Sequence, residues 1–111
     1  MYDGEERVKN WREWEIRRKE LLSKLSEEDL NLYYEYLKED NEDGSIHYYE
    51  KWVSIKSIEV FVLPFYIGHL ACYESSYKQK IMELYLKFLI LSNHRDFQIE
   101  NYLERHLWKE T

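Results

Sequence analysis

His69 and Cys72 lie three residues apart inside an apolar run, so a helix there would set an imidazole beside a thiol. That pair is the minimum for a cysteine nucleophile, with the imidazole taking the thiol proton. No third group able to orient the imidazole stands nearby, and a thiol in apolar surroundings is more often an inert core residue. The expectation is a buried Cys72 and no enzyme. The other histidines, His47, His94 and His106, make no better case. A helical di-metal site wants Glu three residues before His, so that both face one way. None of the four histidines has that Glu; His47 and Glu50 show the reverse order, with no second copy. His94, Arg95 and Asp96 read as a polar turn. A single cysteine excludes an internal disulfide and any multi-cysteine metal site. Three glycines far apart leave no phosphate-cradling loop, so no cofactor is expected.

The one uneven feature is charge. Residues 26–50 carry one base, Lys38, against nine acids: Glu27, Glu28, Asp29, Glu35, Glu39, Asp40, Glu42, Asp43 and Glu50. That is −8 in under a quarter of the chain, more than the net −6 of the whole. Five tyrosines share the segment: Tyr33, Tyr34, Tyr36, Tyr48 and Tyr49. Carboxylates speed encounter with a basic partner. Rings with polar tips make short-range anchors at modest entropy cost. The expected partner-binding residues are therefore Glu35, Glu39, Asp40, Glu42 and Asp43 together with those five tyrosines. The bland reading is that the acids solvate a helix and favour its N-terminus through the dipole.

The elements that must hold these residues are mostly helices. Residues 5–25 pair acid with base four residues on, as in Glu5–Lys9, Glu13–Arg17, Glu15–Lys19 and Glu20–Lys24. Its apolar residues fall in two patches, Val8, Trp11 and Trp14, then Leu21, Leu22 and Leu25, so this helix should dock at its ends. Ser26 opens the next helix as N-cap, with Asp29 in the capping-box place and a face of Leu30, Tyr33, Tyr34 and Leu37. Asn41 to Gly44 is a turn. For 45–63 the helical spacing of Tyr48, Trp52, Ile55, Ile58 and Val62 favours helix over the β-branched strand alternative, a small hairpin after Gly44. Pro64 should end or kink that helix, with Phe65 to Tyr73 a kinked continuation or a short helix of its own. Ser75 or Ser76 offers a cap for a helix from about Tyr77 to Ser92, whose IMELYLKFLIL run is apolar on all but a Glu83–Lys87 stripe. Such a helix is expected to be central and buried. Asp96 caps a last helix facing inward through Phe97 or Ile99, Tyr102 or Leu103, and Leu107. The fold class is thus all-α, a single domain of four to five helices around Tyr77–Ser92.

Composition sets the remaining bounds. At 111 residues the chain can build one core unaided. Eleven Tyr, four Trp and four Phe are too many for the interior alone, which leaves some aromatics for a surface. An acidic balance disfavours a nucleic-acid phosphate backbone as ligand. The apolar runs are short or interrupted by Glu59, Pro64 and His69, too short for a bilayer. No N-terminal segment resembles a signal peptide, so a cytoplasmic home is expected. Scarce Ala, Gly and Pro beside plentiful Lys, Ile and Tyr suggest an AT-rich gene, bacterial or phage.

In style the chain is similar to small bacterial immunity proteins that neutralise nuclease toxins, being compact, acidic and rich in tyrosine. The likeness is one of composition and transfers no residue role. The expected function is a non-enzymatic inhibitor that masks a basic protein such as a nuclease, as an immunity protein, antitoxin or phage-encoded inhibitor does. The alternative is a structural or regulatory subunit that self-assembles, for instance as a homodimer, through its aromatics.

Overall fold

Asp3 begins the first helix through a reciprocal cap: its carboxylate accepts from the Glu6 amide, and the Glu6 side chain accepts from the Asp3 amide. In the computed structural model, which describes residues 1–39, 45–73 and 77–106, six helices follow one another. They are α1 (Gly4–Ser23), α2 (Glu27–Lys38), α3 (Ile46–Val53), α4 (Glu59–Tyr73), α5 (Lys78–Ser92) and α6 (Phe97–His106). The protein is an all-α bundle, with no strand among the described residues. The expected turn at Asn41 to Gly44, the Ser75 or Ser76 cap and the inward Leu107 lie outside the described residues.

The expected single helix over 45–63 is instead two. Ser54 ends α3 by donating from its hydroxyl to the Lys51 carbonyl, a local bond that competes with the helix ladder. Tight bonds from Ile55 to Trp52 and from Ile58 to Ile55 then carry the chain round to α4. Pro64 does not end a helix; it sits inside α4. The break comes five residues before α4 begins, at serine.

The densest core belongs to α4 and the residue that leads into it. Ile58, Val60, Phe61, Val62, Leu63, Tyr66, Ile67 and Leu70 are all buried, and α4 packs on α3 and α5. α5 lies where the sequence places it, and Asn93 in the left-handed conformation closes it by donating to the Leu89 carbonyl. It buries one stripe, Ile81, Tyr85, Phe88 and Ser92, while Leu86, Ile90 and Leu91 stay exposed. Apolar content overstated its burial because α4, α6 and α1 cover only one side of α5, and small domains leave much apolar surface exposed.

The second of the two patches expected on the first helix docks, Leu21, Leu22 and Leu25 packing against the core together with Trp14, whereas most of the first does not. Val8 and Trp11 are exposed, and the ion pairs run three residues apart, Glu15–Arg18 and Arg17–Glu20. Buried Asn10 donates to the Arg95 carbonyl and accepts from the Phe97 amide. Arg17 donates to the Ser92 carbonyl at 2.8 Å, a cation meeting the negative end of α5. The N-terminus closes on α6: Tyr2 exchanges two backbone hydrogen bonds with the Asn101 side-chain amide and stacks on Phe97, and the Met1 amine pairs with Glu104. Asp96 caps α6 through the Ile99 amide, and Ile99 and Leu103 face inward.

Candidate protein-binding surfaces

Ser26 caps α2 by accepting from the Asp29 amide, which lines up three acids, Glu27, Glu28 and Asp29, along the positive end of the helix. The tyrosines of this segment divide sharply. Tyr33 and Tyr36, each 4% exposed, turn into the core. Tyr33 packs on Phe61 and its hydroxyl accepts from Arg18 at 2.7 Å. Tyr36 packs on Trp52 and Tyr48, and burial pushes its hydroxyl well above the ordinary phenol range. The Tyr48 hydroxyl lies 2.9 and 2.8 Å from the Tyr36 and Glu39 carbonyls, so it satisfies the C-terminal end of α2. Tyr49 stacks parallel to Tyr66. Four of the five rings therefore form the seam that joins α2, α3 and α4, and only Tyr34, 56% exposed, stands in solvent.

The carboxylates divide as well. Glu39 accepts from Lys51 at 3.0 Å and from the Trp52 indole at 3.1 Å, fixing α3 against the end of α2. Glu28 and Glu35 lie seven residues apart on one stripe of α2, and Glu27 and Tyr34 form the stripe next to it. All four are exposed, and among the described residues none of the three acids meets a Lys or Arg. Asp40, Glu42 and Asp43 lie outside the described residues.

Sequence reasoning missed a second surface, a half-open groove of about 860 Å³. One wall is α1, through Arg7, Trp11, Trp14, Glu15 and Arg18. The facing wall is α4, where Phe61, Phe65, Gly68 and Cys72 repeat every three or four residues. α6 contributes Ile99, Tyr102 and Arg105, and Leu37 of α2 lies at the end marked by Tyr33. Trp11 and Phe65 are each 60% exposed, which is unusual for rings of that size. A Cβ added at Gly68 would meet nothing within 4 Å, so the groove is open there. The signal was present in the sequence: Arg7, Trp11, Trp14 and Arg18 repeat at intervals of four, three and four, and Gly68 interrupts a bulky run. What the sequence withheld was that these two stripes face each other.

Cys72 is exposed on this groove and not buried, because α4 turns its Phe65–Gly68–Cys72 stripe away from the core. His69 packs against the Tyr49 ring. Another polar cluster lies beside the groove. Glu100 accepts from Tyr85 and Arg95, and Arg95 also reaches the Tyr2 hydroxyl. Burial would raise the Glu100 carboxyl, but the hydrogen bonds from Arg95 and Tyr85 outweigh it and the net shift is downward. Burial raises Asp96, opposed by the Ile99 and Gln98 amides. Every member of this cluster is satisfied by another, which marks it as a clamp between α5, α6 and the N-terminus. Among the described residues no group of three His, Cys, Asp or Glu side chains could hold a metal ion, and no helix is long and apolar enough to cross a membrane.

Compared with known proteins, the chain matches no family model, no curated protein and no solved structure.

Proposed function

We propose that this protein is a non-enzymatic binding protein that masks a basic partner with the exposed face of α2, in the manner of an immunity protein, antitoxin or phage-encoded inhibitor acting in the cytoplasm. One observation carries the reading: Glu27, Glu28 and Glu35 stand exposed and form no ion pair among the described residues. Acids placed only to stabilise a helix gain from nearby Lys or Arg, which α2 supplies once, at Lys38. Unpaired carboxylates project their field outward and raise the encounter rate with a positive surface. Tyr34, exposed beside them, supplies the ring that anchors the partner once it has arrived. A nuclease is the natural class of target, since its active face is built to hold phosphates. The inhibitor needs only electrostatic complementarity and steric cover. Compared with the sequence expectation, the anchoring falls to Tyr34 alone of the five tyrosines, because the others hold the fold.

The experiment is affinity capture from the native cell, then association kinetics with the captured protein at two ionic strengths. Replacing Glu27, Glu28 and Glu35 by Lys should slow association at low salt, with a smaller effect once salt screens over about 8–10 Å. Equal rates for both forms at low salt would remove this surface from consideration. Recovery of the chain by itself would favour self-assembly, for which the exposed Leu86, Ile90 and Leu91 of α5 provide an apolar face.

A further inference from the structure

The groove between α1 and α4 has its own logic, independent of the acidic face of α2. Its ionic and amide groups on the floor are already engaged within the molecule. Glu15 and Arg18 pair with each other, Arg18 also donates to Tyr33, Asn101 is tied to Tyr2, and Asp96 caps α6. A small polar ligand would find few free groups there to orient it, which such clefts ordinarily supply. Two cations remain. Arg7 donates only to the Asp3 carbonyl and Arg105 only to the Met1 sulfur, so neither meets a carboxylate among the described residues.

Both cations lie at one end. Tyr2 is bound to Asn101 and Met1 to Glu104, which brings the last turns of α6 to the start of α1, where Arg7 stands. The opposite end is marked by Arg18 on Tyr33 and Tyr33 on Phe61. Between them each wall is a single helical stripe of equal length. Arg7 to Arg18 and Phe61 to Cys72 both span eleven residue steps, about 16 Å or three turns. Trp11 and Phe65 stand across the gap, and side chains of their kind dominate binding hot spots when left uncovered. Two helical walls, a gap at Gly68 and exposed aromatic rings describe a groove that takes a third helix by its apolar face.

We propose that this groove docks an amphipathic helix of about three turns from a partner protein, apolar along the buried face and acidic at the end that meets Arg7 and Arg105. Charge complementarity fixes the direction in which the helix lies, and the apolar stripe supplies the affinity.

The probe is a fluorescein-labelled, Ala-based helical peptide with Leu along one face for three turns and three Glu in its first turn. Its twin carries Lys in place of those Glu. Binding to the full chain is read by fluorescence anisotropy, and independently by protection of Cys72, the chain's single thiol, from maleimide. The Glu peptide should bind in the region of 10 µM and its Lys twin at least ~10-fold more weakly. Trp11→Ala and Phe65→Ala should each weaken binding by ~30-fold, a hot-spot loss, while leaving the fold intact because both rings are exposed. Gly68→Trp should fill the groove and abolish both binding and Cys72 protection. Arg7→Glu combined with Arg105→Glu should invert the preference toward the Lys peptide. Equal affinity for the twins, or affinity indifferent to Trp11→Ala and Gly68→Trp in folded variants, would overturn the proposal. So would an absence of binding up to millimolar peptide. Cys72 protection that rises with the concentration of the protein alone would assign the groove to a second copy and overturn it as well. None of these outcomes depends on Glu27, Glu28 or Glu35, so the reading of α2 stands or falls separately.

Discussion

Tyr33 and Tyr34 are neighbours in sequence and opposites in energetics. Tyr33 packs between α1 and α4 with its hydroxyl on Arg18, whereas Tyr34 projects into water. Tyr33→Ala should cost about 3–5 kcal/mol, the usual range for a buried aromatic, and Tyr34→Ala less than about 0.5 kcal/mol. Urea denaturation of the two variants checks this; similar losses would mean that the faces of α2 are misassigned. Glu100 offers a second test at this scale. Its carboxyl is held below the ordinary value by Arg95 and Tyr85 against the effect of burial. A depressed carboxylate contributes stability that is fully present above its unfolded value and lost as pH falls through the folded one. Glu100→Gln should therefore lower stability by about 1–2 kcal/mol at neutral pH, with the deficit shrinking below about pH 4 as the wild type loses the same advantage. Asp96 is shifted upward mainly by burial and works in the opposite sense; the part that comes from the Glu100 charge is relieved in Glu100→Gln and offsets a little of the loss. A deficit constant from pH 7 to pH 3 would show that the clamp owes nothing to ionisation.

Helix ends were legible where side chains make them. Ser26, Asn93 and Asp96 cap or close helices because each offers a short polar group, or tolerance of the left-handed conformation, at a defined position. The break after Val53 was not legible, since Ser54 is a weak breaker and acts only because the chain must turn to place α4. Pro64 left two readings open, an end or a continuation through Phe65–Tyr73, and the structure takes the continuation. Its missing donor is a local cost, and the burial of eight apolar residues from Ile58 to Leu70 outweighs it. The tyrosines misled because Tyr suits both a seam and an interface, and only the neighbouring helices decide between them. Gly68 tests the element directly. It lies inside α4, where Gly is less favourable than Ala by about 0.5–1 kcal/mol, and an added Cβ meets open space. Gly68→Ala should raise stability by that amount, seen as a higher denaturant midpoint at unchanged slope. A loss would show that the groove floor is closed there.

Across the whole molecule, stability is distributed unevenly, and the division coincides with the walls of the groove. α4 is anchored by apolar burial, so its amides can exchange only when most of the core opens. α1 is different: its one buried residue is Asn10, its apolar contacts through Trp14, Leu21 and Leu22 are only partly buried, and Asn10, Arg17 and Arg18 hydrogen-bond it to α5, α6 and α2. The spacing of Arg7, Trp11, Trp14 and Arg18 marks a stripe on α1, but nothing in the sequence sets that stripe opposite α4, which is why the groove escaped the sequence. Hydrogen bonds of this kind contribute about 0.5–1.5 kcal/mol each, far less than a buried apolar stripe. α1 should therefore swing open as a unit well below the free energy of global unfolding. Native-state hydrogen exchange tests the point: amides from Arg7 to Arg18 should share one opening free energy, lower than that of the amides from Leu63 to Leu70. Asn10→Ala leaves the Arg95 carbonyl and the Phe97 amide without their partner, and should lower the α1 opening energy by about 1–3 kcal/mol. The exchange of α4 should then slow or quicken only by the change in global stability. If α1 and α4 exchange together in the wild type, the two walls form one cooperative unit and a docked helix meets a rigid groove. If α1 opens first, the groove widens from one side, and a bound helix should slow exchange in α1 more than in α4.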